Sequence, residues 1–378
     1  MRMKKMNRGW PFSDENEMQE IKAVLESHTW WRGTGNKVKE FERCFANYHN
    51  VNYALGVSNG THALEIALEV LGVMPGDEVI VPAFTFVATA TAVLRRGAIP
   101  VFCDVDADTY CLMPESFNEK ITNKTKAVIP VHMAGHLCDM EKISKVAMEN
   151  NIRIIEDAAH AQGGEWNGKK VGFYSDIATF SFQNRKVMTC GEGGALITNS
   201  KELYDKLCLY RTHGITKDSK LLTENHGGWY YEMQELGFNY RITDFQAALG
   251  ISQLKRADAG LKRRQLIARR YNEAFAKNDN IKTPFVSDDV FHAYHLYIIQ
   301  VEDRLGLYNY LREQGIYAQV HYVPLHLMPY YAQRGNKKGD FPVVEDYYEH
   351  CLSLPIYPTL TDEEQSYVIA NVLRFLNK

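Results

Sequence analysis

None of the seven cysteines stands in a Cys-x-x-Cys pair; they lie scattered at positions 44, 103, 111, 138, 190, 208 and 351. An odd, dispersed set argues against a disulfide framework and a cysteine-based zinc site, and it predicts reduced thiols in a cytoplasmic protein. Long apolar runs are missing too. None approaches the ~18 residues a helix needs to cross a bilayer, so no membrane partner is expected. The start, Met1-Arg2-Met3-Lys4-Lys5-Met6-Asn7-Arg8, is basic, but polar Ser13-Asp14-Glu15-Asn16-Glu17 follows where a signal peptide needs an apolar stretch. Nor is there an excess of one charge. With 43 Lys+Arg against 46 Asp+Glu the net charge is −3, and no positive field invites nucleic acid. The clusters Lys262-Arg263-Arg264 and Arg269-Arg270 fit the solvated face of a helix better than a polyanion site.

What is present is an alternation. At 378 residues the chain has room for about two domains. Between Tyr53 and Asn199, β-branched runs at 53–57, 78–81, 99–103, 127–131, 152–156, 177–182 and 195–198 are interleaved with helix-like segments at 61–71, 86–96 and 139–150. This pattern predicts an α/β fold with a mainly parallel sheet wrapped by helices, whose ligands collect at the carboxyl ends of the strands. A helix at 201–211, a polar, tyrosine-rich loop at 213–235 and a long helix at about 244–276, bent at Gly250 or Gly260, are expected next. Beyond Asn280 a second α/β unit is predicted: strand 295–301, helix 304–314, strand 317–322. No linker marks the boundary, which falls inside the long helix; we divide the chain into a large domain, 1–255, and a small C-terminal domain, 256–378.

Four pieces at strand ends carry chemistry. Lys186 sits between a strand-like segment and the glycine cluster Gly191-Glu192-Gly193-Gly194, where a lysine has little packing to do; its amine suits imine formation because burial lowers its pKa readily. Ser58-Asn59-Gly60-Thr61-His62 opens an apolar-periodic helix. It reads equally as a phosphate cradle or as an ordinary N-cap with a tight turn. Glu156 and Asp157 close a strand and point to opposite faces. One of them can hold a cationic ring nitrogen protonated, or both can be solvated or capping acids. Pro82-Ala83-Phe84-Thr85-Phe86 offers ring-stacking aromatics, with core packing preferred for Phe84. Phosphate cradle, stacking ring, ring-nitrogen carboxylate and imine-forming lysine together are what pyridoxal phosphate (PLP) requires. The pair His132 and His136 has helical metal spacing, but Ala134 and Gly135 after a strand suggest a loop, so no metal is expected. His321 and His326, in the run His-Tyr-Val-Pro-Leu-His, stand where a substrate is gripped or serve structural hydrogen bonds.

With these motifs the chain resembles the DegT/DnrJ/EryC1/StrS aminotransferases over nearly its whole length, from Trp30 to Pro358, with Gly237-Phe238-Asn239-Tyr240-Arg241 as a further match. The resemblance implies the type I PLP aminotransferase fold: a large domain with a mainly parallel seven-stranded sheet and a smaller C-terminal α/β domain. It implies that Lys186 forms the imine, Asp157 partners the pyridine nitrogen and Phe86 stacks on the ring. Gly60, Thr61 and Ser181 hold the phosphate, and His160 lies near the phenolic oxygen. Asn239 reaches the phosphate from a second subunit, so a homodimer is expected. Trp31, Arg32 and His326 fall where such enzymes contact the amino donor or the sugar. Gln183 departs from the His or Tyr more usual in the sugar enzymes and, with Trp30-Trp31-Arg32, is similar to 3-amino-5-hydroxybenzoate synthases and inosose aminotransferases. The expected reaction is ping-pong transfer of an amino group from glutamate or glutamine to a nucleotide-linked 4-keto-hexose, with a keto-cyclitol as the alternative. A sugar dehydratase is disfavoured because that subfamily replaces the lysine by histidine; a PLP-binding regulator lacks a visible DNA-binding module.

Overall fold

The computed structural model describes residues 9–377; the basic segment 1–8, and the signal-peptide reading that rests on it, lie outside the described residues. Seven short runs form the central sheet: β1 (Tyr53–Val57), β2 (Glu78–Pro82), β3 (Ile99–Cys103), β4 (Thr125–Val128), β5 (Arg153–Asp157), β6 (Ile177–Ser181) and β7 (Gly194–Thr198); all are buried along most of their length except β3 and β4, which are buried only at their carboxyl ends. Their order is β1-β7-β6-β5-β4-β2-β3. Strand β7 runs antiparallel to both neighbours, while the ladders from β6 through β5, β4 and β2 to β3 are all parallel. The exception has a physical cause. Parallel neighbours need a crossover, usually a helix, whereas β6 returns to β7 through the irregular loop that carries Lys186.

Helices α1 (Glu15–Ser27), α2 (Lys37–His49), α3 (Gly60–Val70), α4 (Ala88–Arg95) and α5 (Met140–Glu149) precede β5, and α6 (Lys201–Arg211) follows β7. Helix α3 buries Ala63, Leu64, Ile66, Ala67, Leu68 and Val70, the wide apolar stripe of a helix laid on a sheet. That burial fixes its N-terminus over the carboxyl ends of β1 and β6.

The single long helix expected at 244–276 is two helices, α7 (Asp244–Lys255) and α8 (Ala257–Phe275), broken at Arg256. Neither glycine makes the break. Arg256 leaves helical geometry while its guanidinium pairs with Asp14 and Glu17 and lies over the Phe12 ring. Gly250 stays helical and serves packing: a Cβ there would stand 2.7 Å from the Phe41 ring.

In the second unit β8 (Tyr297–Gln300) pairs antiparallel with β9 (Cys351–Leu354), flanked by α9 (Arg304–Glu313) and α10 (Asp362–Leu376). The strand expected at 317–322 is absent. Its backbone touches the sheet at one bridge, Gln319 to Ser353, with hydrogen bonds of 3.2 and 2.8 Å. The chain then leaves the sheet because Tyr322 is drawn to His160 of the larger unit. Among the described residues, no helix is long and apolar enough to cross a membrane.

Candidate active site

Lys186 stands on the loop between β6 and β7. A turn holds it there: its amide donates to the Gln183 carbonyl at 2.9 Å, and the buried Val187 and Met188 anchor the chain that follows. The Gln183 side chain is spent on the same loop, its Oε1 accepting from the Arg185 amide at 2.9 Å and its Nε2 donating to Asn184 Oδ1 at 2.5 Å. Removal from water pulls the Lys186 amine down from 10.5 to about 8, with Asp157 pulling the other way.

Asp157 ends β5 as a buried carboxylate. Thr89 Oγ1 donates to its Oδ2 at 2.9 Å, Thr85 and Thr89 share a hydrogen bond of 2.9 Å, and the Ala159 amide reaches Oδ1 at 3.2 Å. These donors fix the carboxylate's position. Glu156 faces the other side of the sheet and is not solvated: it takes His132 Nε2 at 2.8 Å, the Gly172 amide at 3.0 Å and Ser175 Oγ at 2.5 Å. It is a structural acid. His132 and His136 are both used in hydrogen bonds, the latter accepting the Ser287 amide at 3.3 Å.

The start of α3 and the end of β6 come together. A Cβ on Gly60 would stand 2.8 Å from Ser181 Cβ and 3.3 Å from its Oγ, so only glycine allows this approach. Asn59 Oδ1 caps the helix by accepting the His62 amide at 2.8 Å. The amides of Gly60 and Thr61 have no acceptor within the helix and carry the positive end of its dipole. Beside the Ser181 hydroxyl they make a cradle whose donor set suits a phosphate. Gln162, which the sequence did not single out, holds Ser181 by donating to its carbonyl at 2.6 Å.

Aromatic and imidazole rings complete the pocket. Phe86 is 52% exposed, free to cover a flat ligand, whereas Phe84 is core, edge-on to Tyr347. His160 Nε2 lies 3.0 Å from Tyr322 Oη, and its ring stacks on His295 at 4.4 Å. Burial, followed by the charges of Lys186 and neighbouring histidines, holds His160 well below the ordinary imidazole value. Burial and Lys186 likewise take His321 down to about 4, while its Nδ1 pairs with Ser353 Oγ at 2.8 Å. Thr89, Tyr322 and His295 were missed in the sequence. Only Thr89 left a local signal, standing one helical turn after Thr85.

Two expected substrate contacts are placed elsewhere. Arg32 donates through Nε to Glu42 at 3.1 Å, and Glu42 also takes Arg211 at 2.6 Å and the Gly56 amide at 3.0 Å, which commits Arg32 to bracing β1. His326 is fully buried, with Nε2 on the Glu345 carboxylate at 2.9 Å, and offers no surface to a ligand. Trp31 is half exposed, with the Arg241 guanidinium 5.8 Å from its ring. Asn239 is exposed, on a bridge to Thr212 that the chain makes before passing β1.

The profile of the DegT/DnrJ/EryC1/StrS aminotransferase family matches residues 11–373. GDP-perosamine synthase of Escherichia coli O157:H7 is 38% identical over 364 residues, 95% of each chain. The 3-amino-5-hydroxybenzoate synthase of Amycolatopsis mediterranei is 44% identical over 251 residues, 66% of this chain and 62% of that one. The PLP-form of Spr1654 from Streptococcus pneumoniae superposes with a TM-score of 0.92 at 31% identity, covering 99% of both chains. A lysine with a lowered pKa, a braced carboxylate and a phosphate cradle at adjoining strand ends thus sit in a fold shared with a PLP-form protein, and the chain belongs to the DegT/DnrJ/EryC1/StrS family as a PLP-dependent aminotransferase.

Proposed function

We propose that the chain moves an amino group from glutamate, or glutamine, to a keto-sugar, specifically a nucleotide-linked 4-keto-hexose, in two ping-pong half-reactions. The observation that carries this reading is the Lys186 amine, desolvated to about 8 and sensing Asp157, on the loop that leaves the phosphate cradle. PLP, when bound, supplies an electron sink and a carrier for the amino group.

The chain's own residues do the rest. Gly60, Thr61 and Ser181 hold the phosphate, and Phe86 covers the ring. Asp157, fixed by Thr89, would pair with the ring nitrogen and keep it protonated, the condition for the ring to serve as that sink. Lys186, deprotonated in a useful fraction at neutral pH, would carry a proton between the substrate carbon and the aldehyde carbon of the bound cofactor, the two carbons that flank the transferred nitrogen. His160 stays neutral beside the phenolic oxygen. Trp31 faces the substrate, as does Gln183 once it exchanges its bonds to Asn184 and Arg185 for the ligand, and Asn239 completes the phosphate site of a partner in a homodimer. The division at Arg256 separates the cofactor-binding domain, 1–255, from the small domain, 256–378.

A second reading, amination of a ring ketone in a cyclitol or an aminohydroxybenzoate precursor, is favoured by Gln183 and by the likeness to the Amycolatopsis synthase. The test is a half-reaction screen. Protein loaded with PLP and converted by glutamate is mixed with UDP-, dTDP- and GDP-linked keto-sugars and with scyllo-inosose, while the visible band near ~420 nm is followed. Its return with a nucleotide keto-sugar supports the proposal; return only with the cyclitol replaces it with the second reading. A protein that stays colourless with PLP refutes both.

A further inference from the structure

Tyr322 comes from the second unit, yet its ring lies 5.8 Å from Phe86 and nearly parallel to His160 at 5.9 Å. Its hydroxyl meets His160 Nε2 at 3.0 Å. Which group donates in this bond follows from the other imidazole nitrogen. His160 is buried and neutral, so it carries one N–H. Its Nδ1 is buried without a hydrogen-bond partner. A proton there would be an orphaned donor, an arrangement that buried backbone groups avoid more strictly than a bare lone pair. The proton therefore belongs on Nε2, which donates to Tyr322 Oη. The Tyr322 proton is left over, and the structure gives it no acceptor among the described residues. Burial and the neighbouring Asp157 raise the phenol's pKa, so that proton stays in place at neutral pH.

We propose that Tyr322 is a hydrogen-bond donor to the bound ligand, its O–H offered to an oxygen of carbonyl or phenolate character beside Phe86 and Asp157, with His160 as the positioning residue behind it. This inference rests on the reading of the pocket as a PLP site. The oxygen belongs either to the cofactor or to the ketone. Such a donor stabilises charge that develops on oxygen during reaction.

The first measurement needs no cofactor. In cofactor-free protein with 15N-labelled histidine, the His160 signals, identified by their loss in His160→Gln, are expected to report the neutral Nε2–H tautomer. An Nδ1–H tautomer overturns the proposal. The second measurement uses Tyr322→Phe, which keeps the ring; an unchanged far-ultraviolet dichroism spectrum and a single cooperative melting transition check its fold, the transition itself falling somewhat because His160 Nε2 loses its acceptor. Suppose the hydroxyl serves the cofactor's phenolic oxygen. The visible band of the loaded variant then moves before any substrate is added. If it serves the ketone, the band and the glutamate half-reaction are unchanged, and the ketone half-reaction slows on the order of a hundredfold. A variant unchanged in spectrum and in both half-reactions overturns the proposal. A wild-type protein that takes up no PLP refutes the cofactor reading instead, and the tautomer measurement still decides the direction of the hydrogen bond.

Discussion

Lys186 is the most informative place to perturb. An ordinary lysine has a pKa of 10.5, and desolvation here brings it to about 8, a difference of about 3 kcal/mol between its two protonation states. At pH 7 about one amine in ten is then unprotonated, against about one in three thousand for an exposed lysine. The rate at which cofactor-free protein captures PLP should rise with pH up to about 8 and level off above it. The assay is stopped-flow absorbance over pH 6 to 10, with a blocked lysine peptide in parallel to cancel ionisations of PLP itself. Asp157 opposes the shift, so Asp157→Asn should move the plateau to lower pH. Stability carries the matching sign. Between about pH 8 and 10.5 the unfolded chain binds more protons at this site than the folded one, so stability from Lys186 rises with pH through that window. Lys186→Met should therefore stabilise the protein at pH 7 and lose that advantage above pH 10. A capture rate that keeps climbing tenfold per pH unit to pH 10, as in the peptide, would refute the desolvated lysine.

Other perturbations separate the parts of the site. Gly60→Ala puts a methyl group against Ser181 and should weaken PLP at least tenfold while leaving phosphate-free pyridoxal almost untouched, as measured by equilibrium titration. Glu156→Ala strips two buried donors and a half-buried one of their acceptor and should cost about 3 kcal/mol in urea unfolding, whereas an exposed, solvated acid would cost almost nothing. Asn239→Ala and Lys186→Ala should each be inactive alone, yet recover about a quarter of wild-type activity when refolded together, because half the pairs are mixed and each mixed pair has one intact site. No recovery on mixing would place Asn239 and Lys186 in the same subunit's site.

Much of the sheet was legible because its strands are short apolar runs punctuated by helices of clear 3.6-residue period. Gly60, Asp157 and Lys186 stood out as candidates for a related reason: each sits at a junction where a strand, turn or cap restricts the residue type. What escaped notice depends on partners far away in the chain. The segment Tyr317 to Tyr322 has a plausible strand pattern, but its last residues are claimed by Ser353 and His160, and no local pattern records that. The break at Arg256 was hidden likewise, since its cause is a pair of acids and a phenylalanine near the N-terminus. Arg32 and His326 show the reverse error. Their residue types suit substrate binding, and buried carboxylates already occupy them.

The meeting of Gly60 with Ser181 has a further consequence. The two residues are far apart in the chain and belong to different elements, and they touch only when α3 has docked across the sheet onto the end of β6. On the proposed reading of this site, a phosphate held by both would clamp that docking shut. The cofactor is then a fastener as well as a reagent: at a hundred times its dissociation constant it adds about 2.7 kcal/mol to the folded state. Loading with PLP should therefore raise the midpoint of unfolding even when neither amino donor nor ketone is present.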